Sequence, residues 1–400
     1  MTPKDIFYIK PEGSLGCFAF FLSSFSLIER VAKRMMKSWR LLDLPTDSYA
    51  ESTMALSPAL MRARKEGLVP DTVALFTFRR PSVVMGYYIS PDFDVDLEFC
   101  RGHDIAVKRI PTQGLIFGHP GYILAGLYVH RRFLPEGMAE AFRKVNEGVA
   151  RRIEREWNLR ARHRPLNDLE IEIGGKWKKI GPHSLAFDGE VAVERVGLTI
   201  TPMPMHLAEK ALIPPPEKFA DKEAKSISER VGSLEEGLGR PVSLVEAKGM
   251  VTRALEETFD ISLRPGEITQ AEKEFRQSFI DLYDNDPWFF AKSTRRRFAN
   301  LPPGAIVSQF VYKVSAGPII RVNLCVHQDR VYEVLFTGNM QPSRREMPEE
   351  LEDALRNIPA REAEVEEILR KEWQEKKMVI AGARVEDFIA AVWGALRAMK

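Results

Sequence analysis

The sequence predicts an α+β protein, in which a mixed sheet with flanking helices on one side is followed by a small second α+β domain. Strand-like and helix-like segments follow one another in mixed order, unlike the strict alternation of parallel α/β folds. Residues 304–338 contain three alternating strand patterns, and helical patterns follow them. We therefore expect a main domain over residues 37–265, with a connecting or lid segment at 203–240, and a second domain over 268–400.

The first 36 residues fit neither domain. Residues 14–28 are apolar, but this run is too short and too rich in serine for a membrane span. It also lacks the preceding positive charge and the A-x-A site of a signal peptide. We interpret residues 1–36 as an atypical N-terminal extension from an upstream start codon, with a membrane anchor or a signal peptide as the alternative.

The composition is that of an ordinary globular protein, with 44% apolar and 28% charged residues. The formal net charge of +2 provides no general attraction to nucleic acid or to a membrane surface. Cys17, Cys100 and Cys325 form no CxxC pair, and the seven histidines show no zinc-binding spacing. These features predict a cytoplasmic protein that binds neither nucleic acid nor membrane.

The elements of the main domain follow from its apolar patterns. A strand begins near Trp39, and a helix capped within residues 46–48 comes next. Residues 79–81 separate two strands, and residues 94–111 give a short acidic helix and another strand. A glycine-bearing loop then leads into a strand that ends near residue 129.

Two amphipathic helices and two hairpins complete the main domain. The helix over residues 138–159 carries an apolar stripe of Phe142, Val145, Val149 and Ile153. Hairpins are expected at 166–181 and 185–200. The last helix begins after Ser243, a suitable N-cap with Glu246 three residues later.

The first hairpin, LNDLEIEIGGKWKKIG at residues 166–181, carries an unusual number of lysines. Its first strand places isoleucines on one face and glutamates on the other. A two-residue Gly174-Gly175 turn would put Lys176 and Lys178 among the isoleucines, which is unfavourable.

A second register avoids this conflict. A three-residue loop that includes Lys176 pairs Glu172 with Lys178 and puts Lys179 beside Ile171. We favour this register because it satisfies both faces of the hairpin.

An inward lysine is costly unless its ammonium meets an anion. Lys179 therefore either extends its head to water or a structural carboxylate, or binds a phosphate or carboxylate ligand. The Asn167-Asp168 pair stands just before the strand, where such pairs commonly form turns.

The stretch RPLNDLEIEIGGKWKKIG resembles the signature of the lipoate–protein ligases, in which an Asn-Asp pair opens a strand and a lysine closes the hairpin. Residues 79–88, 94–111 and 217–240 are similar to further segments of that family in the same order. Residues 336–355 resemble its accessory C-terminal domain. The sequence is identified as a member of the lipoate–protein ligase A family, in the biotin/lipoate protein ligase superfamily, with a divergent substrate-binding loop.

The resemblance implies a class II synthetase or biotin-ligase-like catalytic domain, an accessory C-terminal domain, and a ligation that uses ATP and Mg²⁺. The carboxylate of lipoate or octanoate attacks the α-phosphate of ATP, giving an acyl-adenylate and pyrophosphate. A lysine of a lipoyl-acceptor protein, such as the glycine cleavage H protein or an E2 lipoyl domain, then takes the acyl group and releases AMP.

The resemblance also assigns roles to residues. Lys179 is the expected catalytic lysine, whose ammonium stabilises negative charge on the α-phosphate and the acyl oxygen. Asp168 is an expected partner of Mg²⁺ or of Lys179. The expected substrate- and nucleotide-binding residues are Arg109, Gly114, His119, Asn167 and Asp168.

The substrate loop departs from the family pattern, Arg-Arg-x-(Ser/Thr)-Gly-Gly-Gly followed by His-Asp-x-Gly. Here it reads KRIPTQGLIFGHPG, and Thr112 and Gln113 replace two of the three glycines. Because glycines let a backbone approach a ligand closely, these side chains should narrow or re-route that approach. Arg109 is retained, whereas His119 is displaced by one position. Bulkier residues also follow the hairpin, and we interpret His183 among them as structural.

Two other functions stay open. A transferase of the same superfamily moves octanoyl or lipoyl groups without ATP, but such enzymes use a cysteine near the acyl site, and none follows Lys179 before Cys325 of the second domain. The third hypothesis is that the protein is a non-catalytic relative that binds acyl-carrier domains or a nucleotide. The altered loop favours it, whereas retention of Asn167, Asp168 and Lys179 argues against it.

Overall fold

The computed structural model describes residues 38–44, 49–112, 114–214, 226–315 and 317–399. The N-terminal extension, the expected cap at 46–48, Gln113 and part of the connecting segment lie outside the described residues.

The strands are β1 (Ser38–Asp43), β2 (Thr72–Thr77), β3 (Ser82–Met85), β4 (Ala106–Arg109), β5 (Leu115–Gly118), β6 (Tyr122–His130), β7 (Ala161–Arg164), β8 (Asp168–Ile173), β9 (Lys176–Asp188), β10 (Val191–Thr199), β11 (Ser262–Pro265), β12 (Ile306–Lys313), β13 (Ile319–His327) and β14 (Arg330–Thr337). The α-helices are α1 (Tyr49–Lys65), α2 (Leu97–Gly102), α3 (Met138–Trp157), α4 (Met205–Ala211), α5 (Ile227–Arg230), α6 (Leu234–Leu238), α7 (Leu244–Phe259), α8 (Gln270–Tyr283), α9 (Asp286–Phe289), α10 (Thr294–Arg297), α11 (Met347–Leu355), α12 (Glu362–Glu375) and α13 (Val385–Arg397).

The main domain is built on an eight-stranded mixed sheet in the order β11-β1-β2-β6-β10-β9-β8-β7. Strand β1 pairs in parallel with β2 and β11, and the other neighbours are antiparallel. A smaller sheet, β4-β3-β5, lies beside it. The stretch that we expected to be a glycine-bearing loop contains β5, so that expectation was only partly right. The α+β class is confirmed.

Helices cover both faces of the large sheet, whereas the sequence indicated only one helical layer. Helices α3 and α7 bury their apolar stripes on one face, and Phe142, Val145 and Ile153 are fully buried there as expected. Ser243 caps α7 by accepting from the backbone N–H of Glu246. Helix α1 lies on the opposite face, over strands β1, β2, β6 and β10.

The second domain is the antiparallel sheet β12-β13-β14 with α11, α12 and α13 packed against it. Helix α8 precedes this unit but packs on α1, where the Arg62 guanidinium lies 4.2 Å from the Phe275 ring centroid. The division of the chain into these two domains, with a boundary near residue 265, stays a prediction.

The two domains are joined by buried polar contacts. Arg321 of β13 donates to both carboxylate oxygens of Asp94 at 3.0 and 3.2 Å, and both side chains are buried. The backbone N–H of Gly338 donates to the carbonyl of Tyr88 at 2.8 Å. None of the described helices is both long and apolar enough to cross a membrane.

Candidate active site

The β8–β9 hairpin adopts the register that the sequence analysis disfavoured. Ile173 lies opposite Lys176 across a two-residue Gly174-Gly175 turn, and Ile171 lies opposite Lys178. Both glycines have positive φ, 55° and 76°, as this type of turn requires. The predicted three-residue loop was therefore wrong.

The conflict that argued against this register is relieved by a neighbouring segment. The Lys178 stem lies beside Ile171, but its Nζ donates to the carbonyls of Ser228 and Glu229 in helix α5. A helix offers unpaired carbonyls in its last turn, and its dipole favours a cation there. The ammonium thus leaves the apolar face without losing hydrogen bonds.

Lys179 lies opposite Glu170, not beside Ile171 as predicted. The register shifts between Leu169 and Glu170, which leaves Ile180 as the extra residue of a bulge. The Lys179 side chain therefore shares the face of the hairpin that carries Asp168 and Glu170, away from the isoleucines.

Lys179 and Asp168 form the centre of the site. Lys179 Nζ lies 2.6 Å from Asp168 Oδ1, and Arg230 donates to the other oxygen, Oδ2. Burial lowers the pKa of Lys179, and the Asp168 carboxylate opposes that shift. The carboxylate thus helps to keep a largely buried ammonium charged.

A cavity of about 590 Å³ opens in front of this pair. Apolar side chains from both domains line much of its wall, among them Ile116, Leu124, Met203, Leu212, Val231 and Pro318. The charged side chains at the wall are Arg164, Lys179, Arg195, Arg230, Lys313 and Asp168. Its size suits a small ligand, and its lining suits one with an apolar body and an anionic head.

The second domain contributes directly to this wall. Lys313, Asn339 and Gln341 all line the cavity, and Lys313 Nζ donates to the carbonyls of Val314 and Gly317. The cavity is therefore completed by the second domain, which the sequence analysis did not foresee.

Two of the expected binding residues are not brought to the cavity. Arg109 is buried, and its guanidinium donates to the carbonyls of Phe289, Gly86 and Tyr87 at 2.6–3.0 Å. His119 is also buried, and its Nδ1 accepts from the backbone N–H of Gly121 at 3.2 Å. Burial lowers the pKa of His119 to about 4, so its ring is neutral near pH 7.

Gly114 and Asn167 do line the cavity, as expected. Gly114 has a φ of 102°, which strongly favours glycine, and its carbonyl accepts from the backbone N–H of Gly86 at 2.6 Å. The Asn167 side-chain amide donates to the carbonyl of His183, whose N–H donates back to the Asn167 carbonyl at 2.9 Å. This amide fixes the start of β8, which places Asp168.

His183 and Glu194 form a pair on the other face of the sheet. His183 lies opposite Val196, so its ring shares the face of Glu194, under the helical layer. Its Nδ1 is 3.5 Å from Glu194 Oε1, and both side chains are completely buried. Burial raises the pKa of Glu194 well above its usual value and lowers that of His183 to about 3. Burial thus disfavours the charged form of both side chains, and a neutral, fully buried ring agrees with a structural role for His183.

Arg195 and Arg230 line the cavity but were not singled out from the sequence. Arg195 follows Glu194 in the otherwise apolar strand β10, and such a charged pair within a buried strand was a usable signal. Arg230 lies in the connecting segment, where Gly232 N donates to the Lys179 carbonyl and docks that segment on the bulge. Arg230 is 62 residues from Asp168 in the sequence, so their contact arises only from the tertiary structure.

The donor set offers little to a divalent cation. Both Asp168 oxygens already face cationic side chains, and the described residues contain no cluster of three metal-binding side chains. Mg²⁺ is commonly held by substrate phosphates and water with one or two carboxylates. Any Mg²⁺ here would thus depend mainly on a nucleotide's phosphates, and Asp168 as its ligand stays a prediction.

Known proteins resemble this chain along most of the main domain. Residues 49–256 match the model of the lipoyl protein ligase A/B catalytic domain. The octanoyltransferase LipM of Symbiobacterium thermophilum is 26% identical over 281 residues, which cover 64% of this chain and 100% of that protein. The lipoate-protein ligase A subunit 1 of Thermoplasma acidophilum is 29% identical over 257 residues, 62% of this chain and 95% of that one.

Two solved structures share the fold. The bipartite lipoate protein ligase of Thermoplasma acidophilum, studied with its E2 lipoyl domain, has a TM-score of 0.55 at 25% identity and covers 64% of this chain and 96% of its own. LipL1 of P. falciparum in complex with lipoate has a TM-score of 0.61 at 11% identity, with 84% and 94% covered, and shows the fold alone. The match over residues 49–256 spans more than half of the chain, which therefore belongs to the lipoyl protein ligase A/B catalytic domain family.

Proposed function

We propose that the protein attaches a lipoyl or octanoyl group to a lysine of a lipoyl-acceptor domain, in the cytoplasm. The observation that carries this proposal is the Lys179 ammonium, which Asp168 holds at 2.6 Å on the wall of a cavity that combines an apolar part with several cationic side chains. The apolar wall holds the acyl chain, where each buried methylene contributes about 0.8 kcal/mol. The acyl head then lies beside Lys179.

Lys179 acts electrostatically in this proposal. Transfer to the acceptor lysine builds negative charge on the acyl oxygen, and a pre-positioned cation in a largely water-free site stabilises that charge. Asp168 positions the ammonium and favours its charged form, because burial alone would lower the pKa of Lys179 further. Asn167 secures the strand start that carries Asp168.

For activation of the acid we favour the ATP-dependent route through an acyl-adenylate. Five cationic side chains and one carboxylate line the cavity, an excess that suits the phosphates of a nucleotide. The acid's carboxylate would attack the α-phosphate, and pyrophosphate would leave. Magnesium would bind chiefly to the phosphates, as the donor set described above implies.

Transfer of an octanoyl group without ATP is the second candidate. It is favoured by the relatives, because the octanoyltransferase LipM is matched along its whole length by this chain. The part of the chain that the structure describes brings no thiol to the site, where such transferases are expected to use one. Among the described residues, Cys100 and Cys325 are buried and neither lines the cavity, and burial raises the pKa of Cys100 to about 11.

One experiment separates the two routes. The purified protein is assayed for ATP–pyrophosphate exchange with octanoate or lipoate, and for acylation of an apo lipoyl domain or H protein. The ligase produces exchange and ATP-dependent acylation. Acylation only from octanoyl-acyl carrier protein establishes the transferase instead. Binding of the acceptor without either turnover contradicts the proposal and leaves the non-catalytic reading.

A further inference from the structure

Arg195 occupies an unusual position for a charged residue. It lies near the middle of β10, inside the eight-stranded sheet, and its side chain is only 3% exposed. It shares a sheet face with Ser184, which lies opposite it on β9 and also lines the cavity. Its guanidinium therefore reaches the same wall as Lys179.

The partners of this guanidinium are neutral. Arg195 Nη1 donates to the Thr112 hydroxyl at 2.8 Å, and Nη2 donates to the Ser57 hydroxyl. Within the described part of the chain, no carboxylate lies within ion-pair distance of it, and its buried Nε has no hydrogen-bond partner.

A guanidinium stays protonated at any ordinary pH, and a buried charge without a counter-charge is strongly unfavourable. Hydroxyl dipoles offset only part of that cost, whereas an oxyanion would use both the charge and the free N–H. The missing counter-charge of Arg195 is thus expected to arrive with a ligand.

Arg109 cannot supply such a contact in this structure. Its Nε and Nη1 donate to three backbone carbonyls from two separate segments. Its Nη2 is buried without a hydrogen-bond partner, but the side chain does not line the cavity and so cannot offer this N–H to a ligand there. The arginine retained in the sequence pattern is therefore structural here, and the cavity carries a different one.

We propose that Arg195 binds an oxyanion of the substrate inside the Lys179 cavity and takes the place that the family resemblance gives to Arg109. The identity of the ligand in this inference rests on the proposed function. The oxyanion is either the carboxylate of the acyl substrate or a phosphoryl group of the nucleotide. Thr112 of the altered loop is bonded to the same guanidinium but does not line this cavity, so it supports Arg195 without touching the bound group.

The test measures ligand binding without turnover. Calorimetric titration of the full-length protein with octanoate alone and with AMP alone distinguishes the carboxylate from the phosphoryl group. Arg195→Met should weaken one of the two ligands about 10-fold to 100-fold, the range for a lost hydrogen bond to a charged group. Arg195→Lys should recover part of that affinity. If Arg195→Met does not fold, Arg195→Gln, which can still bond the two hydroxyls, replaces it.

Thr112→Val is the matched control, because it removes a hydroxyl that Arg195 binds and keeps the guanidinium. It should change either affinity by less than about 3-fold, well under the loss of a charged contact. If Thr112→Val and Arg195→Met lower the ligand affinity equally, Arg195 acts only through the loop. That result would overturn the proposal. Unchanged affinity for both ligands in Arg195→Met would overturn it as well.

Arg195 also borders a second cavity of about 690 Å³ on the Thr112 side, so the location of the anion needs its own test. A double-mutant cycle with Lys179→Met should show coupling, because two cations on one oxyanion are not independent. Additive effects would place the anion elsewhere and overturn the inference. Absence of turnover in the wild-type protein would instead contradict the proposed function, while these binding results would still decide the role of Arg195.

Discussion

Lys179 and Asp168 meet at 2.6 Å across the β8–β9 hairpin although they are not opposite one another in the ladder. Asp168 lies opposite Pro182, and Lys179 lies opposite Glu170, on the two sides of the bulge. Ile180 is the extra residue of that bulge, and the two side chains meet diagonally across it. The tight turn and the bulge together therefore set the geometry of the site.

Replacing Lys179 by Met should abolish most of the acylation activity and leave the fold intact. Loss of one preorganised group that stabilises a developing oxyanion costs about 10²-fold to 10³-fold in rate. The measurement is single-turnover acylation of an apo lipoyl domain, alongside urea unfolding. Lys176→Met, at the exposed first position of β9, is the control and should keep nearly full activity. Equal rates in the two variants would remove Lys179 from the mechanism.

Gly175→Ala should destabilise the protein by about 1 kcal/mol, because an L-residue at positive φ is strained. Gly175 has a φ of 76° with open space around its Cβ position, so backbone strain alone is tested. Urea unfolding measures the change. Gly102→Ala, in helix α2 with open space and without positive φ, should be neutral or stabilising. A neutral Gly175→Ala would mean that the turn does not need this conformation.

Much of the fold could be predicted because it depends on local patterns. The stripe of α3, the Ser243 cap and the three strands of the second domain are determined by side chains near in sequence. The second helical layer was missed, since α1 covers strands that are distant in the chain.

The hairpin shows why the site was harder to predict than the fold. Face-by-face matching of β8 and β9 favoured the wrong register because it ignored helix α5, whose carbonyls accept from Lys178. The structure brings Lys179 and Asp168, which the resemblance singled out, to the wall of the cavity, but the resemblance could not show that Arg109 is used elsewhere. The strand register and the role of an arginine both depend on contacts with residues far away in the chain. These contacts cannot be read from a single sequence.

Arg321→Met should lower the free energy of unfolding by about 3–5 kcal/mol, because it leaves the buried Asp94 carboxylate without its partner. The same variant should loosen the second domain, which completes the cavity wall, and so weaken octanoate binding. Urea unfolding and calorimetry measure the two effects. The double variant Arg321→Met/Asp94→Leu should recover much of the stability, and a loss equal to the sum of the single variants would contradict a direct pair.

The buried His183 should make the protein less stable in acid. Its pKa is lowered from 6.5 to about 3, so below pH 6.5 the unfolded chain binds a proton that the native protein does not. Stability from this group is complete above pH 6.5 and is lost as the pH falls towards 3. Urea unfolding across this range should show a smaller loss for His183→Gln than for the wild type. Parallel curves would mean that His183 is protonated in the native state.

The buried Glu194 should make the protein less stable as the pH rises. Burial raises its pKa well above 4.5, so above that pH the native protein keeps a proton that the unfolded chain releases. Stability from this group is complete below pH 4.5 and is lost as the pH rises towards the native pKa. Glu194→Gln, which keeps a neutral side chain of similar shape, should therefore lose less stability than the wild type as the pH rises above 4.5 in the same unfolding series. Parallel curves above pH 4.5 would mean that Glu194 is already ionised in the native protein, which would contradict this prediction.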